Sequence, residues 1–459
     1  MWFGTLCLVT VLILLVLYHF RRPRRFPPGP RGLPILGNLL DIAKLAKKEK
    51  LYCDTWCRLA DQYGPVVGLR LGFKESMIIV SGKEAVTIMM NRPEFDGRPN
   101  GFMYKYRCGG KMQGLVFTDS DFWKGQKKFT MKTLMQVGFG KMFSHVWFLL
   151  EGTKFEVGME SPQLKEVIKV LKDILINASV VGGIVNYFPF LRLIFPGFTG
   201  FSLFAERQKR IDGFFMDVIS KHKKDRVFGE STNFIDSYLQ KIEIEKQNSS
   251  FNESQLQYVF KDLFSASVDT TEKAIGFIIA YLVVHQDVQL RVHDEIDRVI
   301  GISACPSLGD KSRLPYLNAV VTEVSRLANV APTSIPHRAM TDTSLLGFEI
   351  KRDYILLANF KSIHLDKEHW GDPETFRPER FIDEEGRFID DPWVMNFGAG
   401  HRRCPGEVVA RNAVFLFTAC LMQKLHFMLP KKHPKPDLNG HGTFITAPPT
   451  MEVVVRQRH

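Results

Sequence analysis

The sequence predicts a mainly α-helical chain with a small β part, carried behind an N-terminal membrane-spanning helix. Three observations predict it. Helical periodicity dominates the body, and long stretches between Lys128 and Gly301 lack strand signals. Period-two alternation is confined to short pieces: Val66 to Val80, broken near Gly72, then Thr343 to Ala358 and Met451 to Val455. Finally, no residue from Trp2 to Phe20 is charged, which is just enough apolar length to cross hydrocarbon as a helix.

That first segment lacks the basic start and small-residue cleavage site of a signal peptide. The cluster Arg21, Arg22, Arg24 and Arg25 follows it instead, and positive charge on that flank holds the body in the cytosol. The expected division is an anchor over 1–20, a basic, Pro-rich linker over 21–38 and one domain over 39–459. Within the linker, Phe26-Pro27-Pro28-Gly29-Pro30, Gly32 and Pro34 favour a stiff strut that orients the body against the bilayer; a plain linker is the alternative.

Hydrophobic residues make up 45% of the 459 residues, with 37 Phe, so a large core can form and could wrap a flat apolar cofactor. Lys and Arg outnumber Asp and Glu 61 to 49. A basic surface suits nucleic acid, anionic lipid or an acidic protein, but no zinc-finger, helix-turn-helix or RNA-recognition spacing is present, which argues against nucleic acid. The seven cysteines are scattered, and Cys53 and Cys57 lack a second pair to complete a zinc site; this usage fits a reducing compartment. The sequons at Asn177, Asn248 and Asn252 would then go unused.

The clearest helix is expected from about Ser254 to Ile300, which holds no proline. One polar island, Ser265 to Thr271, interrupts its apolar middle, and polar groups there need a partner or a task. Tyr187 to Phe204 is apolar but broken by Pro and Gly, so it reads as a core connection or as a surface patch that dips into lipid.

The decisive stretch runs Phe397-Gly398-Ala399-Gly400-His401-Arg402-Arg403-Cys404-Pro405-Gly406. A cysteine thiolate on ferric iron needs hydrogen-bond donors around the sulfur and little bulk. Gly400 and Gly406 let the chain turn and bring N–H groups toward Cys404. Arg402 can reach a haem propionate, Phe397 can limit water at the sulfur, and the apolar helix after Gly406 directs its N-terminal dipole there.

This segment resembles the Phe-x-x-Gly-x-Arg-x-Cys-x-Gly signature of the cytochrome P-450 family, and further family motifs follow in the right order. Glu323-Val324-Ser325-Arg326 resembles the Glu-x-x-Arg pair, and Arg380 within Phe376-Arg377-Pro378-Glu379-Arg380-Phe381 takes the place of its third partner. Pro336-His337-Arg338 resembles the propionate-side turn, which makes His337 a propionate donor. Trp123 and Lys127 stand where the family has Trp-x-x-x-Arg, and Lys keeps the charge but loses the bidentate fork; Lys111 is a further candidate. Ala266-Ser267-Val268-Asp269-Thr270-Thr271 resembles the oxygen-binding helix, so Ala266 lies at the haem while Asp269 and Thr270 relay protons where the helix opens. Ser267 departs from the family's glycine.

The resemblance implies a cytochrome P-450 fold binding haem b through Cys404, in an NADPH-dependent monooxygenase of the endoplasmic reticulum membrane with its catalytic domain cytosolic. Its implied partners are a flavoprotein reductase, an auxiliary cytochrome, membrane lipid, dioxygen and a small apolar substrate. Glu94-Phe95-Asp96-Gly97-Arg98-Pro99 and Gly114-Leu115-Val116-Phe117-Thr118-Asp119 look like the microsomal animal branch, and in particular like insect members related to the methyl farnesoate epoxidases. A terpenoid, steroid or fatty acid is expected to enter between Phe102–Phe117, Phe260–Asp269, Ala331–Ile335 and Phe444–Thr446. After Gly140 the family's run of helices is cut short by about one helix with its loops. With Ser267, that gap raises one alternative, a haem binder with impaired or no catalysis; a second is an oxygen-independent haem-thiolate isomerase, which needs no proton relay and against which Asp269 and Thr270 argue.

Overall fold

The computed structural model describes residues 22–49, 51–72, 75–137, 162–177, 183–225, 233–245 and 250–459, with the single positions Trp2, Thr10 and Leu150. Apart from those single positions, the expected anchor and the expected shortening after Gly140 lie outside the described residues. Among the described residues no single helix is long and apolar enough to cross a membrane.

The longer helices, in chain order, are α1 (Leu39–Ala46), α2 (Asp54–Tyr63), α3 (Lys83–Asn91), α4 (Phe102–Arg107), α5 (Ser120–Gln136) and α6 (Pro162–Asn177). They continue with α7 (Phe201–Asp225), α8 (Phe234–Glu245), α9 (Glu253–Val284), α10 (Gln286–Val299), α11 (Pro315–Ala328) and α12 (Glu407–Lys424). The strands are β1 (Val66–Leu71), β2 (Glu75–Ser81), β3 (His337–Arg338), β4 (Thr343–Leu345), β5 (Phe348–Ile350), β6 (Ile355–Asn359), β7 (Leu425–Met428) and β8 (Val454–Gln457).

One sheet has the order β1-β2-β6-β3, and β4-β5 and β7-β8 form two-stranded pairs. In β1–β2 the antiparallel register sets Val66 opposite Val80, while β2 and β6 run parallel. Ile78, Ile79, Leu356 and Leu357 are all fully buried, so both faces of this sheet centre are covered, as an unbroken apolar run requires. The last strand begins at Val454, three residues later than the alternation suggests.

The linker is neither a free strut nor a loose tether: residues 26–38 lie along β1. The Gly68 N–H donates to the Pro28 carbonyl at 2.7 Å, the Asn38 N–H to Arg70 at 2.6 Å, and Phe26 is buried edge-on to Tyr354. Gly37 has φ +59°, and a Cβ there would stand 2.1 Å from the Arg70 carbonyl oxygen, so only glycine allows this close approach.

The helix expected to run from Ser254 to Ile300 is two helices, α9 and α10, bent by 109° at His285. No proline or glycine marks the break because side chains end α9. The Gln286 amide donates to the Leu282, Val283 and Phe427 carbonyls, and the Gln289 amide to Leu282 and Phe427. These bonds satisfy terminal carbonyls that another helical turn would have used, and they tie the corner to β7.

Two helical cores flank the long α9. On one side Phe277, Leu282, Val292, Leu317, Val320 and Phe415 join α9 to α10, α11 and α12. On the other, Phe215, Phe234, Tyr238, Phe260 and Phe264 join it to α7 and α8, with Phe215 edge-on to Phe260 at 4.8 Å. The helix between them is thereby rigid, and its middle borders the cavity that holds the site.

Candidate functional site

A cavity of about 1430 Å³ lies between α9, α12, the turn after α11 and the segment containing Cys404. Its lining is mostly apolar. The four stretches expected to admit substrate all contribute, through Met103 and Phe117, Phe264 and Val268, Thr333 and Ile335, and Phe444 and Ile445.

Cys404 stands on this wall beside Phe397, Arg402 and Gly406. Its backbone N–H donates to the Phe397 carbonyl at 2.9 Å, closing the loop. Burial pushes the thiol above its ordinary pKa, while the backbone N–H groups of Gly406 and Glu407 at the sulfur pull the other way. The helix α12 begins at Glu407, so its N-terminal dipole also favours a thiolate or its bond to a metal. Gly406 has φ −89°, and a Cβ there would lie 3.8 Å from the sulfur, an ordinary contact; its conformation does not demand glycine. Gly400 is different. Outside the cavity lining, it has φ +63°, and a Cβ would fall 1.8 Å from the Met90 carbonyl oxygen at the end of α3. Gly400→Ala is expected to cost about 3 kcal/mol, combining left-handed strain with overpacking. Chemical denaturation would measure this, and a cost under about 1 kcal/mol would contradict it.

Cations outnumber carboxylates in another part of the cavity lining. The Arg402 guanidinium donates to the Asp96 and Thr118 carbonyls and lies 3.7 Å over the Trp123 ring. Burial lowers its pKa to about 10. The Lys127 ammonium donates to the His401 carbonyl at 2.7 Å and sits 4.7 Å from the centre of the same ring. Burial, and then the Arg402 charge, lower its pKa. His337 is fully buried, with its Nδ1–H donating to the Phe95 carbonyl at 2.7 Å. Its Nε2 has no partner, and burial with the neighbouring Arg98 charge holds its pKa well below the ordinary value. Cations held by neutral carbonyls fit an incoming carboxylate, whereas the orphaned Nε2, an acceptor while Nδ1–H donates, would have to gain a proton before it could bond one. These residues fit a haem: Cys404 would hold its iron and the cations its propionates. Lys111 stands apart: it is exposed and does not line the cavity.

The distal wall also differs from expectation. Ala266 and Thr270 line the cavity, but Asp269 does not; it is buried and ion-paired with Lys273, one turn on along α9, and its Oδ1 has no partner. The helix is not opened here. The Thr270 hydroxyl donates to the Ala266 carbonyl at 2.8 Å and Ser267 to Phe264 at 2.9 Å, so hydroxyls at the island bond within their own helix. Ser267, where the family has glycine, sits within this continuous helix with its hydroxyl satisfied locally.

Behind the proximal wall, Glu323, Arg326 and Arg380 meet. Glu323 accepts from Arg326 Nε at 2.7 Å and Nη2 at 2.8 Å, and from Arg380 Nε at 3.2 Å. Arg326 also donates to the His364 and Pro373 carbonyls, and Arg380 to Trp370 and Asp372. This joins α11 to the segment leading into the Cys404 loop.

A model of the cytochrome P450 family matches residues 27–155 and 142–455. The chain belongs to this family. Among similar curated proteins, a farnesoate epoxidase of Bombyx mori is 33% identical over 94% of each chain. A probable cytochrome P450 305a1 of Drosophila melanogaster is 31% identical over 92% of this chain and 93% of its own. A cytochrome P450 2D3 of Rattus norvegicus is 30% identical over 98% and 97%. P450 proteins bind haem through a cysteine thiolate and are monooxygenases, oxidoreductases that incorporate one oxygen atom.

One residue of this P450 site escaped the sequence reasoning. Arg98 lines the cavity edge with a buried guanidinium that donates to the Val116, Ile335 and Pro336 carbonyls and to no carboxylate. Burial, and then Arg402, lower its pKa well below the ordinary value. It stands inside Gly97-Arg98-Pro99, and a lone arginine gives no sign that its guanidinium will be buried among carbonyls, with Asp96 and Asp119 near it but not bonded to it.

Proposed function

We propose that this P450 is a membrane-associated monooxygenase that inserts one atom of dioxygen into an apolar terpenoid, steroid or fatty-acid-like substrate. The observation that carries this reading is an apolar cavity lined together by Cys404, by Arg98, Lys127 and Arg402, and by His337, whose Nε2 has no partner. In it Cys404 holds the iron, Arg402, His337, Lys127 and Arg98 hold the propionates, and Trp123 supports the two cations stacked on it. Bound haem supplies the capacity to activate dioxygen. Thr270 is the hydroxyl at the cavity wall, and Asp269 sits behind it as the acid. Lys111 has no part, since it stands outside the cavity.

The electrons come from an NADPH-dependent flavoprotein reductase, with an auxiliary cytochrome as a second donor, and the net charge of +12 suits an acidic partner. Residence on the endoplasmic reticulum membrane, body in the cytosol, is supported by the uncharged start and by an exposed apolar face. Leu33, Phe190, Leu193, Ile194, Phe195 and Phe198 are more than half exposed, and Ile35 and Leu40 nearly so. The two groups are neighbours through Gly72, whose N–H bonds Leu36 and whose Cα side meets Tyr187. Such a face suits lipid. The two-part family match, meeting at 142–155, supports a shortened region after Gly140.

The test is a reduced-CO difference spectrum of the expressed chain, followed by NADPH consumption with reductase and a lipid substrate. Absorption at the thiolate position with substrate-stimulated NADPH use is expected; a histidine-type spectrum would overturn the reading. The unopened α9 favours one second reading, oxygen-independent isomerisation of an oxygenated lipid. Turnover of a hydroperoxide without reductase would select it.

A further inference from the structure

Away from the haem cavity, the connection after α10 is fastened to the last turn of α12. The buried Gln423 amide donates to the Gly301 and Ala304 carbonyls, each at 2.7 Å, and the Lys424 ammonium donates to the Ile302 carbonyl at 3.1 Å. Two cysteines stand where these bonds converge. Cys305 directly follows the anchored Ala304, and Cys420 lies one turn before Gln423 and Lys424, on the side of α12 that they share. Both are exposed. The two thiols also feel each other: burial raises the pKa of Cys420, the neighbouring Cys305 raises it further, and Lys424 pulls it down.

The other thiols have different surroundings. Cys53 and Cys108 are buried, and Cys57 is half-buried. Burial pushes Cys53 up to about 12 and Cys57 up to about 11, which keeps both as unreactive thiols. Cys404 is assigned to the iron. Among the described residues, Cys305 and Cys420 are the exposed thiols left over, and neither lines the cavity. They are far apart in the chain, so their meeting is a product of the fold and of the amide and ammonium that pin the connection down.

We propose that Cys305 and Cys420 form a reversible thiol–disulfide pair, a modification site that a peroxide closes and a thiol reductant opens. One thiol attacks the peroxide O–O bond and becomes a sulfenic acid, with release of water or an alcohol. The second thiol then attacks that sulfur, forms the S–S bond and expels water. Two thiols thereby give up two protons and two electrons, and the peroxide takes both. In a reducing compartment the pair rests as the dithiol. Closed, it ties the connection after α10 to the helix that begins just beyond the Cys404 loop. The chemistry of the pair is separate from oxygen insertion and does not depend on the proposed function.

The test is peptide mapping of the haem-loaded full chain in detergent, after excess hydrogen peroxide and alkylation of the remaining free thiols without reductant. A cross-linked pair of peptides carrying Cys305 and Cys420 is expected, with both thiols lost in parallel and both recovered in dithiothreitol. In Cys305→Ser the cross-link should be absent, and Cys420 should pass on to the sulfinic acid, which dithiothreitol does not reverse. Independent loss of the two thiols, survival of both in excess peroxide, or pairing of either with another cysteine or a second chain overturns the proposal. Each of those is read in the unsubstituted chain, so a misfolded variant does not block the decision. Reversible loss of Cys420 that persists in Cys305→Ser also overturns it.

Discussion

Cys404→Ser is expected to abolish the thiolate signature of the reduced-CO spectrum and to lower substrate oxidation by about 10³-fold or more, the scale on which removal of a central catalytic group acts. The fold should survive. The loop is closed by the Cys404 backbone N–H to the Phe397 carbonyl, which serine keeps, and by the close approach of Gly400 to Met90, which the substitution does not touch. A serine oxygen can still accept from Gly406 and Glu407, but it is a poor electron donor to iron, and donation from sulfur is what favours oxygen activation in this family. Haem can therefore still bind through the cations Arg98, Lys127 and Arg402. The measurements are haem stoichiometry, the CO spectrum and a thermal melt, run in parallel on Cys404→Ser and Cys420→Ser. An unchanged spectrum in Cys404→Ser would remove this residue from the site altogether.

The parts of this site that can be read from the chain are those whose partners lie close together in it. The Cys404 loop is one unbroken stretch, and its physical needs, a left-handed residue at 400 and donors after the sulfur, are local. Glu323 and Arg326 are three apart on α11 and so share a face whatever the rest of the fold does. What stayed hidden depends on long-range burial. Lys111 and Lys127 are both lysines near a presumed haem edge, yet only Lys127 lines the cavity, because α5 turns it beside Trp123 while Lys111 is left on an exposed loop. Arg98 becomes an anion donor only because residues 116, 335 and 336, far away in the chain, surround it with carbonyls. The bend at His285 is invisible for a related reason: the glutamine amides that end α9 also need Phe427, some 140 positions on. Asp269 lies between these cases. Its partner Lys273 is a local i, i+4 neighbour and could have been named from spacing, but the side of α9 that the pair faces is set by packing.

Breaking the buried pair behind the proximal wall should have the largest effect on stability. Glu323→Ala is expected to cost about 4 kcal/mol, because it strands the fully buried Arg326 guanidinium without a counter-charge. A loss of that size is a large share of a folded domain's whole margin of about 5–15 kcal/mol, so most of the expressed chain should fail to retain haem. Arg326→Ala should cost as much, since it leaves Glu323 buried with only Arg380 and the Arg377 N–H to face it, and also removes donors from the His364 and Pro373 carbonyls. Arg380→Ala should cost less. Glu323 would keep both bonds from Arg326, and the carbonyls Arg380 serves lie in a segment nearer to solvent. The ordering, rather than any single value, identifies the mechanism. Pure loss of side-chain volume would make the two arginine deletions alike, whereas the two bonds Arg326 gives Glu323, against one from Arg380, separate them. Glu323→Gln sharpens the point, because it keeps shape and acceptor oxygen yet deletes the charge, and should fall close to Glu323→Ala. Denaturant midpoints and haem retention of the four variants decide it; equal effects from Arg326→Ala and Arg380→Ala would show that the triad acts through packing alone.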